Sequence, residues 1–278
     1  MEIGLLTAPL SDRPLEKVIA FAAEHGFQAL EVASGPGSPH LDPGKLTRAR
    51  AAQIKRSLKA AGVRISSLAH YANLLLPEEA ARKQAVARFQ EVMGAAETLG
   101  VEVVCTIAGM PAPGKDKRKT LSEDYPKVFG PLAKRAAKVG LKLAFENWFA
   151  TNLQNLELWD LCFEMVPDEN VGLNFDPSHL CWQGIDYLEA VDRYAPRIFH
   201  THAKDTEVSQ HCLRRLGCLA SGWWRYVIPG YGEIDWGVYI ARLRRAGYNG
   251  VLSIEHEDSA FGAEEGFIKG QRHLANFV

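Results

Sequence analysis

Short apolar runs alternate with longer stretches of helical periodicity from one end of this chain to the other. Eight runs read as strands: Glu2–Thr7, Gln28–Ala33, Arg64–Ala69, Glu102–Ile107, Lys142–Glu146, Gly172–Phe175, Ile198–Thr201 and Val251–Ile254. Each is short and largely apolar, as strands covered on both faces should be. Between them the spacing predicts helices over Leu15–Glu24, Leu46–Ala61, Pro77–Leu99, Pro126–Val139, Leu156–Met165, Tyr187–Tyr194 and Trp236–Ala246. Gly26, Gly62, Gly100, Gly140 and Gly247 each follow such a helix and lead into the next apolar run. A glycine in that place accepts the left-handed conformation that ends a helix.

Regular strand–helix alternation predicts a parallel sheet, and eight units in one chain of this length predict a single (β/α)8 TIM barrel over residues 1–278. An open dinucleotide-binding sheet would want G-x-G-x-x-G after its first strand. The chain offers only Gly35-Pro36-Gly37 after the second, with Pro36 and Pro39 spoiling a helix start, so no nucleotide cofactor is expected. The longest connection, Thr206–Glu233, follows the seventh strand and is rich in Cys, Trp, Arg and Gly. Loops of this length in compact domains tend to be functional, and this one lies on the side where barrel active sites are built.

Composition narrows the class. With 47% hydrophobic and 23% charged residues over 278 positions, the chain has material for a full core. Its 32 basic and 33 acidic residues give a net charge of −1, which argues against a broad nucleic-acid footprint. The basic run Lys115–Lys119 is expected to be a solvated loop. Five cysteines without a C-x-x-C pair, no basic-then-apolar leader and no apolar run of the ~20 residues that span a bilayer predict a reduced, cytoplasmic protein with no membrane association.

Chemistry collects late in the chain. In Ile198–Asp205 (IFHTHAKD), His200 and His202 lie two apart and share one face of a strand. In a barrel, polar residues at C-terminal strand ends are the catalytic candidates. The fifth strand ends in Glu146-Asn147-Trp148, the sixth in Asp176-Pro177-Ser178-His179, the seventh in His202-Ala203-Lys204-Asp205 and the eighth in Glu255-His256-Glu257-Asp258. Those strands are neighbours, so Glu146, Asp176, His202 and Glu255 can converge. Three carboxylates and one imidazole suit Mn²⁺, Mg²⁺ or Co²⁺, and Zn²⁺ also fits. Singly, each residue has a plainer use: a glutamate can pair with a loop arginine, and Asp176 can cap a turn. Trp148, Trp182, Trp223, Trp224 and Tyr226 suit stacking on a sugar or simple packing. Arg225 can fork onto a carboxylate, a phosphate or vicinal hydroxyls. Lys204 can serve the substrate or pair with Asp205, and Glu31 can bond a substrate hydroxyl or act structurally.

Glu146, Asp176-x-x-His179, His202-x-Lys-Asp and the ending PGYGEIDW…GYNGVLSIEHED resemble the xylose-isomerase-like barrel superfamily of sugar phosphate isomerases and epimerases. The resemblance implies a divalent-metal site of Glu146, Asp176, His202 and Glu255, with His179 and Arg225 binding substrate oxygens and Glu146 and Glu255 exchanging protons with the substrate carbon. Lys204, Trp148 and His70 complete the expected substrate contacts. His70, ending the third strand, is also similar to a residue of the metal-dependent abasic-site endonucleases, but Thr106-Ile107-Ala108-Gly109 stands where those carry a further histidine. The expected activity is isomerisation or epimerisation of a sugar, sugar phosphate or polyol ketone by proton transfer beside a carbonyl, through a metal-stabilised enediolate. The same site would serve an inosose or keto-acid dehydratase. A barrel acting only as a non-catalytic partner is the remaining alternative. The partner expected is a small molecule, neither nucleic acid nor membrane, with a homodimer left open.

Overall fold

Parallel strands need a crossover connection, and a helix of several turns returns the chain to the end from which the next strand can start. The computed structural model describes all residues 1–278 and contains ten strands in chain order: β1 (Glu2–Leu6), β2 (Ala29–Ala33), β3 (Arg64–Ala69), β4 (Val103–Ile107), β5 (Lys142–Glu146), β6 (Val171–Phe175), β7 (Ile198–Ala203), β8 (Asp205–Val208), β9 (Trp224–Val227) and β10 (Val251–Ile254). All except β8 and β9 form a closed parallel barrel, ordered β1-β10-β7-β6-β5-β4-β3-β2. The eight barrel strands are the eight read from the sequence, with ends moved by no more than two residues.

The helices are α1 (Leu15–Glu24), α2 (Arg48–Ala61), α3 (Glu79–Leu99), α4 (Lys117–Glu123), α5 (Tyr125–Lys138), α6 (Leu156–Met165), α7 (Ser178–Cys181), α8 (Tyr187–Tyr194), α9 (Gln210–Leu216), α10 (Trp236–Arg245) and α11 (Ala263–Leu274). Gly62 and Gly100 end α2 and α3 with φ of 67° and 75°, where a side chain would be strained. Between strands and helices lies an apolar core that includes fully buried Phe129, Phe145, Trp159, Phe175 and Tyr239. The barrel interior differs: towards the C-terminal strand ends it is filled by buried Glu31, Ser67, Asn174, His200, His202 and Ser253. Five strands therefore send polar groups to the axis, and these must satisfy one another because water is excluded.

Three segments depart from the sequence reading. Lys115–Lys119 is tied down rather than freely solvated: Lys115 Nζ lies 2.6 Å from Asp124 and 2.9 Å from Glu123, and Lys117 Nζ donates to Gln154 Oε1 at 2.8 Å. The single acid of this basic run, Asp116, is a helix cap: its carboxylate accepts from Lys119 N and starts α4. The Thr206–Glu233 connection is structured, carrying α9 between the antiparallel strands β8 and β9. The eighth barrel helix, α11, has a weak apolar signal because Gly266 and Gly270 occupy buried positions in it. All five cysteines are unpaired, and no helix is long and apolar enough to cross a membrane.

Candidate metal centre

The centre is assembled from consecutive strands on one arc of the barrel. Glu146 is the last residue of β5, Asp176 follows β6, His202 lies near the end of β7, and Glu255 follows β10. One oxygen or nitrogen from each of the four lies within 4.8 Å of all the others. His202 Nδ1 faces the group, 3.1 Å from Glu255 Oε2, 3.3 Å from Glu146 Oε1 and 3.8 Å from Asp176 Oδ2. Two of these buried atoms, His202 Nδ1 and Asp176 Oδ2, have no hydrogen-bond partner. Orphaned buried polar atoms cost free energy, and two aimed at one point beside two further carboxylates fit a cation. Three hard oxygen donors and one imidazole are a divalent-cation set.

The neighbours hold each donor in place. Asp176 is clamped by Asn147, whose amide donates to the Asp176 carbonyl at 2.8 Å and whose oxygen accepts from Asp176 N at 2.7 Å. Its Oδ1 accepts from Ser178 N at 2.8 Å, which leaves Oδ2 for the centre. His202 turns Nε2 towards Glu31 Oε2, 3.0 Å away on β2. Glu31 in turn accepts from Ser253 Oγ at 2.8 Å and from the Tyr71 hydroxyl. A carboxylate behind a metal-facing imidazole fixes its tautomer and ring direction. His200 lies one layer below, bonded to Asn174 Oδ1 at 2.9 Å and to Ser66 at 3.1 Å, and Asn174 in turn lies 2.9 Å from His202 Nε2.

Charge explains the titration. Burial alone would push the His202 pKa down, but Glu255 and Glu31, then Asp176 and Glu146, overcome it and hold the imidazole well above its usual value. Burial likewise opposes ionisation of Glu31, yet the charges of His202 and His200 bring it down to about 2. Glu146 and Asp176 are held well below the ordinary carboxylate range: against burial, His179 and His202 act on the first, Lys204 and His179 on the second. His200, away from the acidic group, is pushed by burial to about 4 and is neutral at physiological pH.

Above the centre opens a cavity of about 440 Å³, in the size range of small-molecule sites. Its walls include Trp148, Phe149, Trp224 and Tyr226, with Glu146, His179, Lys204, Glu255 and Glu257 at its base. A larger hollow of about 590 Å³ lies at the opposite mouth, beside Lys55, Lys59 and Lys142. Size favours the hollow, but the chemistry favours the C-terminal cavity, where three carboxylates and an imidazole converge; the other group of metal-capable side chains, Glu31, Cys105 and His200, is fully buried and offers a single carboxylate.

The remaining expected contacts divide. His179 is in the cavity, its Nε2 3.2 Å from Glu146 Oε1 and its Nδ1 2.6 Å from the Tyr226 hydroxyl. Lys204 does not pair with Asp205. Its buried ammonium sits 2.5 Å from Glu255, 3.2 Å from Asp176 and 3.2 Å from Glu257. Asp205 points to the other face of its strand and receives Trp236 Nε1, Gly230 N, Ile234 N and Thr206 N. Arg225 is outside the cavity lining, half-exposed and held by Glu207 at 2.6 Å and Asp258 at 2.8 Å. His70 lines an adjoining cleft, with Nδ1 2.8 Å from the Ser34 carbonyl. Sequence reasoning passed over Tyr71, Asn174, Phe149 and Glu257. Strand parity could have flagged two of them, since Asn174 lies two before Asp176 and Glu257 two after Glu255.

Known proteins share the fold. Over 96% of both chains, this one is 28% identical to the uncharacterised protein YfiH of Bacillus subtilis. It is 28% identical to an inosose dehydratase of Geobacillus thermodenitrificans over 73% of this chain and 72% of that one. It spans about half the length of several other inosose dehydratases it matches. Among solved structures, an IolI protein with a bound zinc atom superposes with a TM-score of 0.79 at 20% identity, covering 100% of this chain and 99% of that one. A D-psicose 3-epimerase from Clostridium cellulolyticum gives 0.72 at 21% identity, covering 99% and 92%. At those identities the structures speak for the fold. The model of one family matches residues 19–277, nearly the whole barrel, and the chain belongs to that family, the xylose isomerase-like TIM barrels.

Proposed function

We propose that this protein is a divalent-metal-dependent dehydratase of a small, uncharged polyol ketone, with the cation held by Glu146, Asp176, His202 and Glu255. The observation that carries this reading is Lys204. Its ammonium is buried at the base of the cavity, bonded to Glu255 and Glu257 and flanked by Asp176. These carboxylates, against burial, hold its pKa well above the usual lysine value, so it carries its proton at neutral pH.

When bound, the cation would polarise a carbonyl and stabilise the negative charge that develops as the neighbouring proton leaves. Glu146 is the base: Oε1 faces His179 and His202, while Oε2 takes no hydrogen bond. The carbon-bound proton passes to Glu146, the electron pair forms a carbon–carbon double bond, and the β-hydroxyl leaves as water with a proton from Lys204. Charge selects the substrate class. Three ligating carboxylates, the Lys204 ammonium and a divalent cation cancel, and Glu257 adds negative charge. Arg225 is already occupied by two carboxylates, so no free cation awaits a phosphate. The matches to inosose dehydratases support the same outcome.

Epimerisation is the second reading, favoured by the placement of Glu146 and Glu255 on barrel strands separated by β6 and β7. One experiment separates them. Metal-loaded protein is incubated in deuterated water with an inosose, fructose and tagatose, and products are followed by NMR and by ultraviolet absorbance. Water loss from the inosose with no ketose epimer is expected. A C3 epimer carrying solvent deuterium would transfer the assignment to epimerase, and absence of exchange from every substrate would overturn both.

A further inference from the structure

The β8–β9 ribbon does more than cover the cavity. Tyr226 projects from β9 so that its hydroxyl lies 2.6 Å from His179 Nδ1, while Lys204 sits over its ring at 4.4 Å. The other nitrogen of His179 faces acid: Nε2 is 3.2 Å from Glu146 Oε1 and 3.4 Å from Asp176 Oδ2. A neutral imidazole carries its proton on one nitrogen only, and its partners decide which. A proton on Nδ1 would leave the Nε2 lone pair pointing at two carboxylate oxygens. Lys204 Nζ, 3.4 Å from Nε2, would relieve that only in part, because it lies closer to Glu255 at 2.5 Å and to Glu257 at 3.2 Å, and Nε2 lies closer to Glu146 than to Lys204.

We infer that Tyr226 is a positioning residue: its hydroxyl donates to His179 Nδ1, which confines the imidazole proton to Nε2 and aims it at the reacting centre. His179 thereby becomes a fixed donor at the cavity base, able to pass its hydrogen bond from Glu146 to an incoming substrate oxygen. The arrangement gives the inserted ribbon a chemical task. Barrel strands deliver the metal-facing donors, and the insertion sets the hydrogen-bonding state of the histidine beside them. Its catalytic consequence rests on the reading given under Proposed function, but the tautomer itself does not.

The test is therefore spectroscopic first. Long-range ¹H–¹⁵N correlation spectra of ¹⁵N-histidine-labelled protein, with the His179 ring identified by its loss in His179→Gln, report which nitrogen is protonated. The full chain is expected to show Nε2 protonated and Nδ1 as an acceptor, and Tyr226→Phe is expected to convert this ring to a mixture of tautomers. Tyr226→Phe keeps the ring over Lys204, so circular dichroism and metal stoichiometry should match the parent. With a substrate in hand, kcat should fall about 10-fold or more while KM changes little, in the range seen when a positioning partner is removed. Protonated Nδ1 in the parent protein, or an unchanged His179 pattern in Tyr226→Phe, would overturn the inference whatever reaction the protein catalyses.

Discussion

At the scale of the residue, His202 is set between two acidic groups with different tasks. The three carboxylates of the candidate centre face Nδ1, and Glu31 faces Nε2 from the other side of the barrel. His202→Ala should abolish stoichiometric metal binding in a calorimetric titration. Glu31→Gln should leave binding intact but weaken it by about 10–100-fold, the usual consequence of losing an imidazole's orienting partner. His200→Ala should act on stability instead, by about 1–3 kcal/mol, since it strands the buried Asn174 Oδ1 that His200 satisfies. Retention of full affinity in Glu31→Gln would remove Glu31 from this role. The pH dependence follows from the raised pKa of His202. In the metal-free protein its proton stabilises the fold fully below the unfolded value of about 6.5, and that stabilisation is lost as pH rises through the folded value. A cation on Nδ1 must displace the same proton. Binding should release it, and affinity should weaken by about tenfold per pH unit as pH falls below the folded value.

At the scale of the element, the determining feature is that four neighbouring strands end in side chains, Glu146, Asp176, His202 and Glu255, whose donor atoms lie within 4.8 Å of one another and could hold a metal. Sequence reading reached this because C-terminal strand ends can be counted once eight strands are recognised. It did not reach the β8–β9 ribbon, whose strands carry Thr206, Arg225 and Tyr226 in no clean alternation and are held by contacts distant in sequence. Asp205 supplies much of that hold, receiving donors from Gly230, Ile234 and Trp236 as well as its neighbour Thr206. Asp205→Ala would leave those donors unpaired. It should cost about 3 kcal/mol or more in denaturant unfolding and should detach the ribbon, seen as faster amide exchange at Trp224–Val227. By contrast, Leu219 at the outer tip is 100% exposed, and Leu219→Ser should change stability by no more than about 0.5 kcal/mol.

At the scale of the whole molecule, the barrel concentrates unlike requirements at one end of its axis. A lumen packed with Glu31, Asn174, His200 and His202 is stable only while every group has a partner, and the ligand cluster lacks such partners for His202 Nδ1 and Asp176 Oδ2. Metal should therefore stabilise the entire fold. A ligand present at 100 times its Kd adds about 2.7 kcal/mol, so thermal unfolding should shift upward with added Mn²⁺ or Zn²⁺ and return on chelation. An unfolding temperature insensitive to divalent cations in the parent, with the same curve in Glu146→Gln/Glu255→Gln, would argue against a metal centre here. The sequence by itself determined the eight strands, the closed barrel and the arc of three carboxylates and an imidazole at its strand ends, because period, glycine caps and strand-end residues are local properties. Only tertiary structure decided that Lys204 enters the cavity while Asp205 leaves it, that Arg225 is occupied by Glu207 and Asp258, and that Glu31 and Tyr226 orient the two histidines. Those choices depend on which side chains meet across the barrel axis, from strands far apart in the chain, and no local pattern encodes such a meeting.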